Sequence, residues 1–91
     1  MRVARRYVLK GRVQGVGFRF FAERAAGSEG IHGWVSNRGD GAVEVLAEGE
    51  AEAMARFEQR LRQGPPAARV EDVQADDDVP SGRATGFMIR P

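Results

Sequence analysis

A glycine-rich run between a predicted strand and a predicted helix is the part of this sequence best suited to chemistry. Residues 11–19 (GRVQGVGFR) contain three glycines and end in Arg19. The first N–H groups of a helix have no internal acceptor, and the helix dipole makes that end positive. Arg19 adds a planar, permanently charged group that matches phosphate oxygens. The run therefore predicts a phosphate cradle built mostly from backbone N–H groups.

The run is not one of the common nucleotide-binding motifs. The dinucleotide fingerprint G-x-G-x-x-G is absent because no third glycine follows Gly15 and Gly17 at the required spacing. The P-loop is absent because no G-K-[ST] follows. Taken alone, such a run is more often a tight connection with a solvated arginine than an anion site.

The other reactive side chains are few. The chain has no cysteine, which excludes disulfides, zinc–thiolate sites and a cysteine nucleophile. The single histidine, His32, is expected at a surface or strand edge, and Ser28, Ser36 and Ser81 have no evident basic partner. Residues 76–78 are three adjacent aspartates, which we expect to form a solvated turn rather than a cation site, since they repel one another. Any reaction must therefore rely on positioning and positive charge.

Such a site suits an acyl phosphate better than a phosphate ester. The leaving carboxylate has a pKa of about 4 and needs no proton, whereas an alkoxide needs a metal or a general acid. Phosphoryl transfer rests mainly on positioning and charge stabilisation. Asn37 is the candidate for holding the attacking water, because a carboxamide both accepts and donates and does not titrate. Its alternative role is to begin a hairpin turn.

Length and composition predict one soluble domain over residues 1–91. Apolar residues make up 42% of the 91, enough for a globular fold. With 14 basic and 13 acidic residues the chain is nearly neutral, which argues against a nucleic-acid partner bound by bulk electrostatics. No apolar stretch approaches a membrane span and no signal peptide is evident. We expect a cytoplasmic monomer with no membrane partner.

Hydrophobic periodicity predicts an α+β protein of the ferredoxin-like βαββαβ class, with two helices on one face of a mostly antiparallel sheet and a short C-terminal strand. Gly27 and Gly30 are expected to end the first helix early. Arg5 interrupts an apolar strand face without explanation from sequence. The predicted strands are residues 3–9, 31–36, 43–48, 70–75 and 87–90, and the predicted helices are 18–26 and a second one that begins at residue 51 and stops before residues 64–66 (GPP).

Two runs resemble the two signatures of the acylphosphatase family. Residues 11–19 resemble the first, and residues 33–44 (GWVSNRGDGAVE) resemble the second. The resemblance extends to residues 87–90 (FMIR). Two long motifs in this order are more specific than either alone. The resemblance implies hydrolysis of acyl phosphates to carboxylate and inorganic phosphate, with no metal, no cofactor and no phosphoenzyme.

The resemblance also implies roles for individual residues. Arg19 would bind the substrate phosphate, Asn37 would orient the attacking water, and Trp34 would serve packing. Loop amides would complete the phosphate site, from Gln14, Gly15, Val16, Gly17 and Phe18.

Two alternatives to an enzyme stay open at this point. One is a non-catalytic anion-binding or regulatory module, since similar domains occur within larger carbamoyl-transferring maturation proteins. The other is an RNA-binding domain of the same fold. The RNA-binding reading is disfavoured because Tyr7 is the only tyrosine and no RNP-type pattern is present.

Overall fold

Seven elements follow one another along the chain in a computed structural model, which describes residues 1–83 and 85–91. The elements are β1 (Arg2–Arg12), α1 (Phe18–Glu29), β2 (His32–Asn37), β3 (Val43–Glu50), α2 (Ala51–Gln63), β4 (Arg69–Asp78) and β5 (Phe87–Arg90). The strands have the order β4-β1-β3-β2-β5, and among the described residues only the β2–β5 pair is parallel. This arrangement confirms the predicted ferredoxin-like α+β class.

Strand directions gather three connections at one end of the sheet. Because β1 and β2 are both antiparallel to β3, their C-terminal residues lie at the same end. We call this the loop end, and the opposite one the far end. Across the loop end lie, in order, the α2–β4 connection (residues 64–68), the cradle loop (residues 13–17) and the hairpin turn (residues 38–42). Helix α1 begins at the loop end, and α2 ends there.

Both helices bury one face against the same side of the sheet. Helix α1 lies over β2 and β5, while α2 lies over β1, β3 and β4. The aromatic ring of Phe57 is fully buried and contacts Tyr7 and Phe87 edge-on, with ring centroids 6.4 and 5.9 Å away. Replacing such a residue by alanine typically costs about 3–5 kcal/mol. The core therefore fixes the sheet and both helices as one scaffold beneath the loop end.

The expectation that Gly27 ends the first helix is wrong. Helix α1 continues through Gly27 and ends at Gly30, which adopts a left-handed conformation with φ 66°. The N–H of Ile31 then donates to the carbonyl of Ala26 at 2.9 Å, closing the helix end. Burial of Ala25 and Ala26 holds this turn in place, and it outweighs the roughly 1 kcal/mol helical penalty of one glycine.

The expectation that residues 76–78 form a turn is also wrong, because they are the last residues of β4 and pair with β1. Asp77 lies opposite Arg5, with 3.2 Å between its carboxylate and the Arg5 Nε. Cross-strand arginines thus offset the repulsion among the aspartates. Arg5 also donates to Glu58 of α2 at 2.8 Å, which explains a charged residue on the helix-facing side of β1.

His32 has a structural role. It is half-buried at the start of β2, and its Nδ1 accepts a hydrogen bond from the N–H of Gly86 at 2.7 Å. The pairing holds the segment before β5 against the sheet.

Among the described residues, neither helix is long and apolar enough to span a bilayer.

Candidate active site

The cradle loop takes its shape from two glycines in the left-handed region. Gly15 has φ 73° and Gly17 has φ 80°, values that residues with a Cβ rarely adopt. A Cβ added at either position would meet nothing within 4 Å. The requirement for glycine is therefore conformational, and the space in front of the loop is open. An anion could approach the backbone there without displacing protein atoms.

No side chain among residues 1–83 and 85–91 caps the N-terminus of α1. Gly17 is the N-cap and supplies no side chain, and the first turn holds no acidic residue. The first intrahelical bond runs from the N–H of Phe21 to the carbonyl of Gly17 at 3.0 Å. The N–H groups of Phe18, Arg19 and Phe20 precede it and have no acceptor within the helix. These donors and the helix dipole form an electropositive end that suits phosphate.

Arg19 reinforces this positive end. It occupies the second helical position and is half-buried. Over residues 1–83 and 85–91, no carboxylate forms an ion pair with it. A like charge at a helix N-terminus is unfavourable by about 0.3–1 kcal/mol when the site is empty. A bound anion would reverse that sign.

Gln14 joins the cradle loop to the hairpin turn. Its Nε2 donates to the carbonyls of Arg38 and Ala42, at 2.8 and 3.0 Å. The prediction from sequence included the backbone N–H of Gln14 but not this role of its side chain. The one sequence feature that points to the role is a long side-chain amide among the glycines of the turn, where it can reach a neighbouring loop. The bridge fixes the position of the turn that follows Asn37 relative to the cradle loop.

Asn37 is the last residue of β2 and carries an unusual oxygen. Its Oδ1 is buried, yet no hydrogen-bond donor in the described part of the chain reaches it. An unsatisfied buried acceptor costs about 1–3 kcal/mol. The only other such side-chain atom among the described residues is the Tyr7 hydroxyl, which lies in the core. A buried acceptor without a donor calls for a specific explanation, and this makes Asn37 Oδ1 the candidate atom for holding a water or a ligand at the loop end.

Other residues close the hairpin turn, so Asn37 is not needed for that purpose. The N–H of Arg38 donates to the carbonyl of Ala42 at 2.8 Å. Asp40 Oδ1 accepts from the N–H of Ala42 at 3.0 Å, and its other oxygen pairs with Arg38 at 3.2 Å. The Ala42 N–H, followed by the charge of Arg38, lowers the pKa of the Asp40 carboxyl. Asp40 thus fills the turn-forming role that was the alternative for Asn37.

The remaining reactive side chains lie away from this site or serve the fold. Trp34 stacks beneath the Arg90 guanidinium, 4.5 Å from the ring centroid, as a packing residue. Ser28 donates to backbone carbonyls of α1, and Ser81 donates to Glu48. No group of three or more metal-ligating side chains occurs within residues 1–83 and 85–91. The loop end therefore holds the one constellation on the described chain that joins an open helix terminus, a cation and a free acceptor.

Comparison with known proteins gives matches over nearly the whole chain. The family model described as acylphosphatase matches residues 5–89. An acylphosphatase from Koribacter versatilis is 48% identical over 85 residues, which cover 93% of this chain and 77% of that protein. The crystal structure of acylphosphatase from Bacillus subtilis matches with a TM-score of 0.94 at 37% identity, covering 98% of this chain and 99% of that one.

A second kind of relative is much longer. The crystal structure of full-length HypF, in a phosphate- and nucleotide-bound form, matches with a TM-score of 0.90 at 27% identity. The match covers 100% of this chain but 12% of that one. The same fold therefore occurs both as a chain of this size and as one segment of a larger protein.

Proposed function

This chain belongs to the acylphosphatase family and hydrolyses acyl phosphates, and we propose that it does so with Arg19 and Asn37 as its catalytic residues. In this proposal Arg19 and the backbone amides of residues 14–18 hold the phosphate, and Asn37 orients the attacking water. The observation that carries the proposal is the buried, unpartnered Asn37 Oδ1 at the same end of the sheet as an open helix N-terminus.

The phosphate would bind by charge and backbone donors alone. Its oxygens accept from the N–H groups around the start of α1, where the chain supplies no competing acceptor. The guanidinium of Arg19 donates to two further oxygens in its planar geometry. Because these donors are held by the two left-handed glycines, little reorganisation accompanies the change of charge in the transition state.

The water would bind between the Asn37 carboxamide and the phosphorus. Oδ1 accepts one O–H of the water and aims an oxygen lone pair at the phosphorus. The Gln14 bridge to the hairpin turn keeps the distance between Asn37 and the bound phosphate fixed. The position of the water, rather than removal of its proton, is what the chain contributes.

The reaction then needs no further acid, base or nucleophile from the protein. The water oxygen forms a bond to phosphorus as the bond from phosphorus to the acyl oxygen breaks, and the electron pair leaves with the carboxylate. Both protons of the water end on phosphate, giving dihydrogen phosphate at first. The carboxylate has a pKa of about 4, so its departure needs no general acid.

The test separates the two roles. Asn37→Ala should keep inorganic phosphate binding but lose about 10²–10³-fold in kcat on benzoyl phosphate, the effect typical of one preorganised group. Arg19→Ala should lose both phosphate binding and turnover. Calorimetric titration with phosphate and turnover assays in the presence of a chelator would measure this split.

Two controls sharpen that experiment. Arg56→Ala removes an exposed arginine that pairs with Glu29 on α1, and it should change neither property. Asn37→Asp keeps the shape but adds a negative charge beside the phosphate, and it should be as inactive as Asn37→Ala. Full turnover by either Asn37 variant would refute the role of Asn37, and chelator-sensitive turnover would refute a metal-free reaction.

The second candidate is a non-catalytic anion-binding or regulatory module, since the same fold also occurs as one segment of HypF, a longer protein solved in a phosphate- and nucleotide-bound form. That candidate predicts phosphate binding by the folded chain and no hydrolysis of several acyl phosphates. We further propose that residues 1–91 act as a single domain and as a cytoplasmic monomer on a small-molecule acyl phosphate. One chain supplies every residue of the proposed site, which supports the monomer, and sedimentation analysis and cell fractionation test these points.

A further inference from the structure

We infer that a groove between α1 and the α2–β4 connection binds the acyl part of the substrate and favours an aromatic body that carries a second negative charge. We call it the acyl groove and define it by Gly17, Phe20, Arg24, Arg60, Pro65 and Pro66. The inference rests on the proposed function, because it takes Asn37 as the position of the attacking water. It adds the direction in which the acyl group leaves and the chemistry that this direction selects.

The topology fixes the side on which the acyl group must lie. In a phosphoryl transfer, the attacking and leaving oxygens are roughly in line through the phosphorus. Strand order places the cradle loop between the hairpin turn on the β2–β3 side and the α2–β4 connection on the β4 side. Because Asn37 stands on the hairpin side, the leaving carboxylate must point toward residues 64–68.

A groove lies in that direction and begins at the cradle. It has a volume of about 360 Å³, and Gly17 of the cradle loop is part of its wall. Its apolar surface comes from Phe20, which is 63% exposed, and from the adjacent Pro65 and Pro66. Phe20 lies off the buried face of α1, so the core does not explain a large aromatic at this position. An aromatic acyl body would cover it.

Two arginines give the groove its charge. Within the described part of the chain, neither Arg24 nor Arg60 has a carboxylate within ion-pair distance. Arg60 is nevertheless held in place, because its guanidinium lies 5.5 Å from the Phe21 ring centroid and donates to Ser28 Oγ at 3.2 Å. A fixed cation without a counterion attracts an anionic substituent on the substrate.

The other arginines of α2 differ in this respect. Arg56 pairs with Glu29 at 2.9 Å, and Arg62 pairs with Glu58 at 3.2 Å. Both lie on the same helix as Arg60, and neither lines the acyl groove. Among the three arginines of α2 in the described structure, the one without a carboxylate partner is therefore the one that lines the acyl groove.

The experiment compares two substrates of nearly equal size. The 4-carboxybenzoyl phosphate carries the second negative charge, and 4-carbamoylbenzoyl phosphate is its neutral counterpart. After division by the spontaneous hydrolysis rates, the wild type should favour the charged substrate in kcat/KM by about three- to tenfold, as expected for one or two exposed ion pairs. The preference should shrink as salt is added.

Matched variants test the location. The double variant Arg24→Gln/Arg60→Gln should reduce the preference to about one, whereas Arg56→Gln/Arg62→Gln, with the same change in net charge, should keep it. The inferred role of the groove would be refuted if both double variants lost the charge preference equally, or if the wild type showed no preference. Phe20→Ala should lower kcat/KM for benzoyl phosphate relative to acetyl phosphate by about threefold, and an unchanged ratio would exclude an aromatic body at Phe20.

The failure of the groove and the failure of the proposed function can be distinguished. If the wild type hydrolyses acetyl and benzoyl phosphate in the presence of a chelator but shows no charge preference, only the groove is refuted. If the folded wild type hydrolyses none of these compounds, the proposed function and the groove are refuted together.

Discussion

The two ends of the sheet use the same parts in opposite ways. Each end holds the N-terminus of one helix, flanked by strand ends and a connection. At the far end, the N–H of Ala51 donates to the carbonyl of Met1 at 2.9 Å, and the Met1 ammonium pairs with Glu50. Helix α2 also carries Glu52 in its first turn, whereas the first turn of α1 has Arg19 and no acid. Within the described residues, the terminus of α2 has an acceptor for its first N–H and an acid in its first turn, and the terminus of α1 has neither.

Glu48 makes the contrast sharper. It is buried near the far end, where it accepts hydrogen bonds from Arg2 at 2.7 Å and from the backbone N–H groups of Ser81 and Gly82, both at 2.8 Å. At the loop end, the buried Oδ1 of Asn37 accepts none from the described residues. A buried acceptor with no donor costs stability, whereas a fully bonded one does not. The polar groups of the far end therefore stabilise the fold, whereas the loop end keeps a hydrogen-bond acceptor that has no partner among the described residues.

The largest expected effect comes from making the α1 terminus resemble that of α2. Arg19→Glu should lower kcat/KM on benzoyl phosphate by roughly a thousandfold or more, because it replaces the guanidinium proposed to hydrogen-bond the phosphate by a carboxylate that repels it. The same change should raise the free energy of unfolding by about 0.3–1 kcal/mol, since an acid at a helix N-terminus is favourable. Turnover assays and urea denaturation in phosphate-free buffer would measure both.

The reciprocal variant at the other helix is the control. Glu52→Arg should lower the free energy of unfolding by a similar amount and leave kcat/KM within a factor of about two. The comparison between the ends fails if Arg19→Glu keeps its activity, or if it unfolds the protein.

A smaller effect is expected at Glu48. Glu48→Gln should lower the free energy of unfolding by about 2 kcal/mol at neutral pH, because charge-assisted hydrogen bonds are lost and an amide N–H₂ faces donors. Turnover should stay close to that of the wild type, since Glu48 lies near the far end. Urea denaturation would measure the loss of stability. A large loss of turnover in the folded variant would contradict the separation of the two ends.

The effect of Glu48 should depend on pH in a defined direction. The hydrogen bond from Arg2, helped by the N–H groups of Ser81 and Gly82, lowers the pKa of Glu48 from 4.5 to about 2. Because the folded-state pKa is depressed, this stabilisation is complete above pH 4.5 and is lost as the pH falls toward 2. The difference in the free energy of unfolding between the wild type and Glu48→Gln should therefore become smaller as the pH falls from 4.5 toward 2. A constant difference would contradict the assignment.

The sequence was sufficient for the order of elements and for the glycine turn that opens α1, because both depend on local signals. Alternation, helical spacing and glycines in a turn are properties of neighbouring residues. The prediction for residues 76–78 failed because their partners, Arg5 and Arg6, belong to a strand about seventy residues earlier. The prediction for Gly27 failed because buried alanines hold the helix together across it. Tertiary partners decided both.

The candidate site, like the fold, could be predicted only as far as local sequence signals reach. Arg19 and Asn37 could be proposed from their motifs, but the Gln14 bridge depends on how a hairpin 24 residues later meets the loop. The acyl groove is harder to predict from the sequence. Phe20 and Arg24 belong to α1, whereas Arg60 and Pro65 come from the end of α2 and the connection that follows it. Nothing local to either helix shows that they face one another.

The last prediction uses two glycines of the same helical region whose substitution by alanine should change the free energy of unfolding with opposite signs. Gly17 is left-handed at the open terminus, and Gly27 is helical. At both, an added Cβ would meet nothing within 4 Å, so only backbone conformation counts. Gly17→Ala should lower the free energy of unfolding by about 1–2 kcal/mol, and Gly27→Ala should raise it by about 0.5–1 kcal/mol.

Turnover should separate the same pair of variants. Gly17→Ala shifts the amide directions of the cradle loop and should reduce kcat, whereas Gly27→Ala lies ten residues along the helix and should not. Urea denaturation and turnover on benzoyl phosphate would measure both properties. If the two substitutions changed stability in the same direction, the left-handed conformation of Gly17 would not be what holds the loop open. In that case the strain at the loop end would have to come from the unpaired donors and from Arg19 alone, and added phosphate should then stabilise the wild type and Gly17→Ala equally.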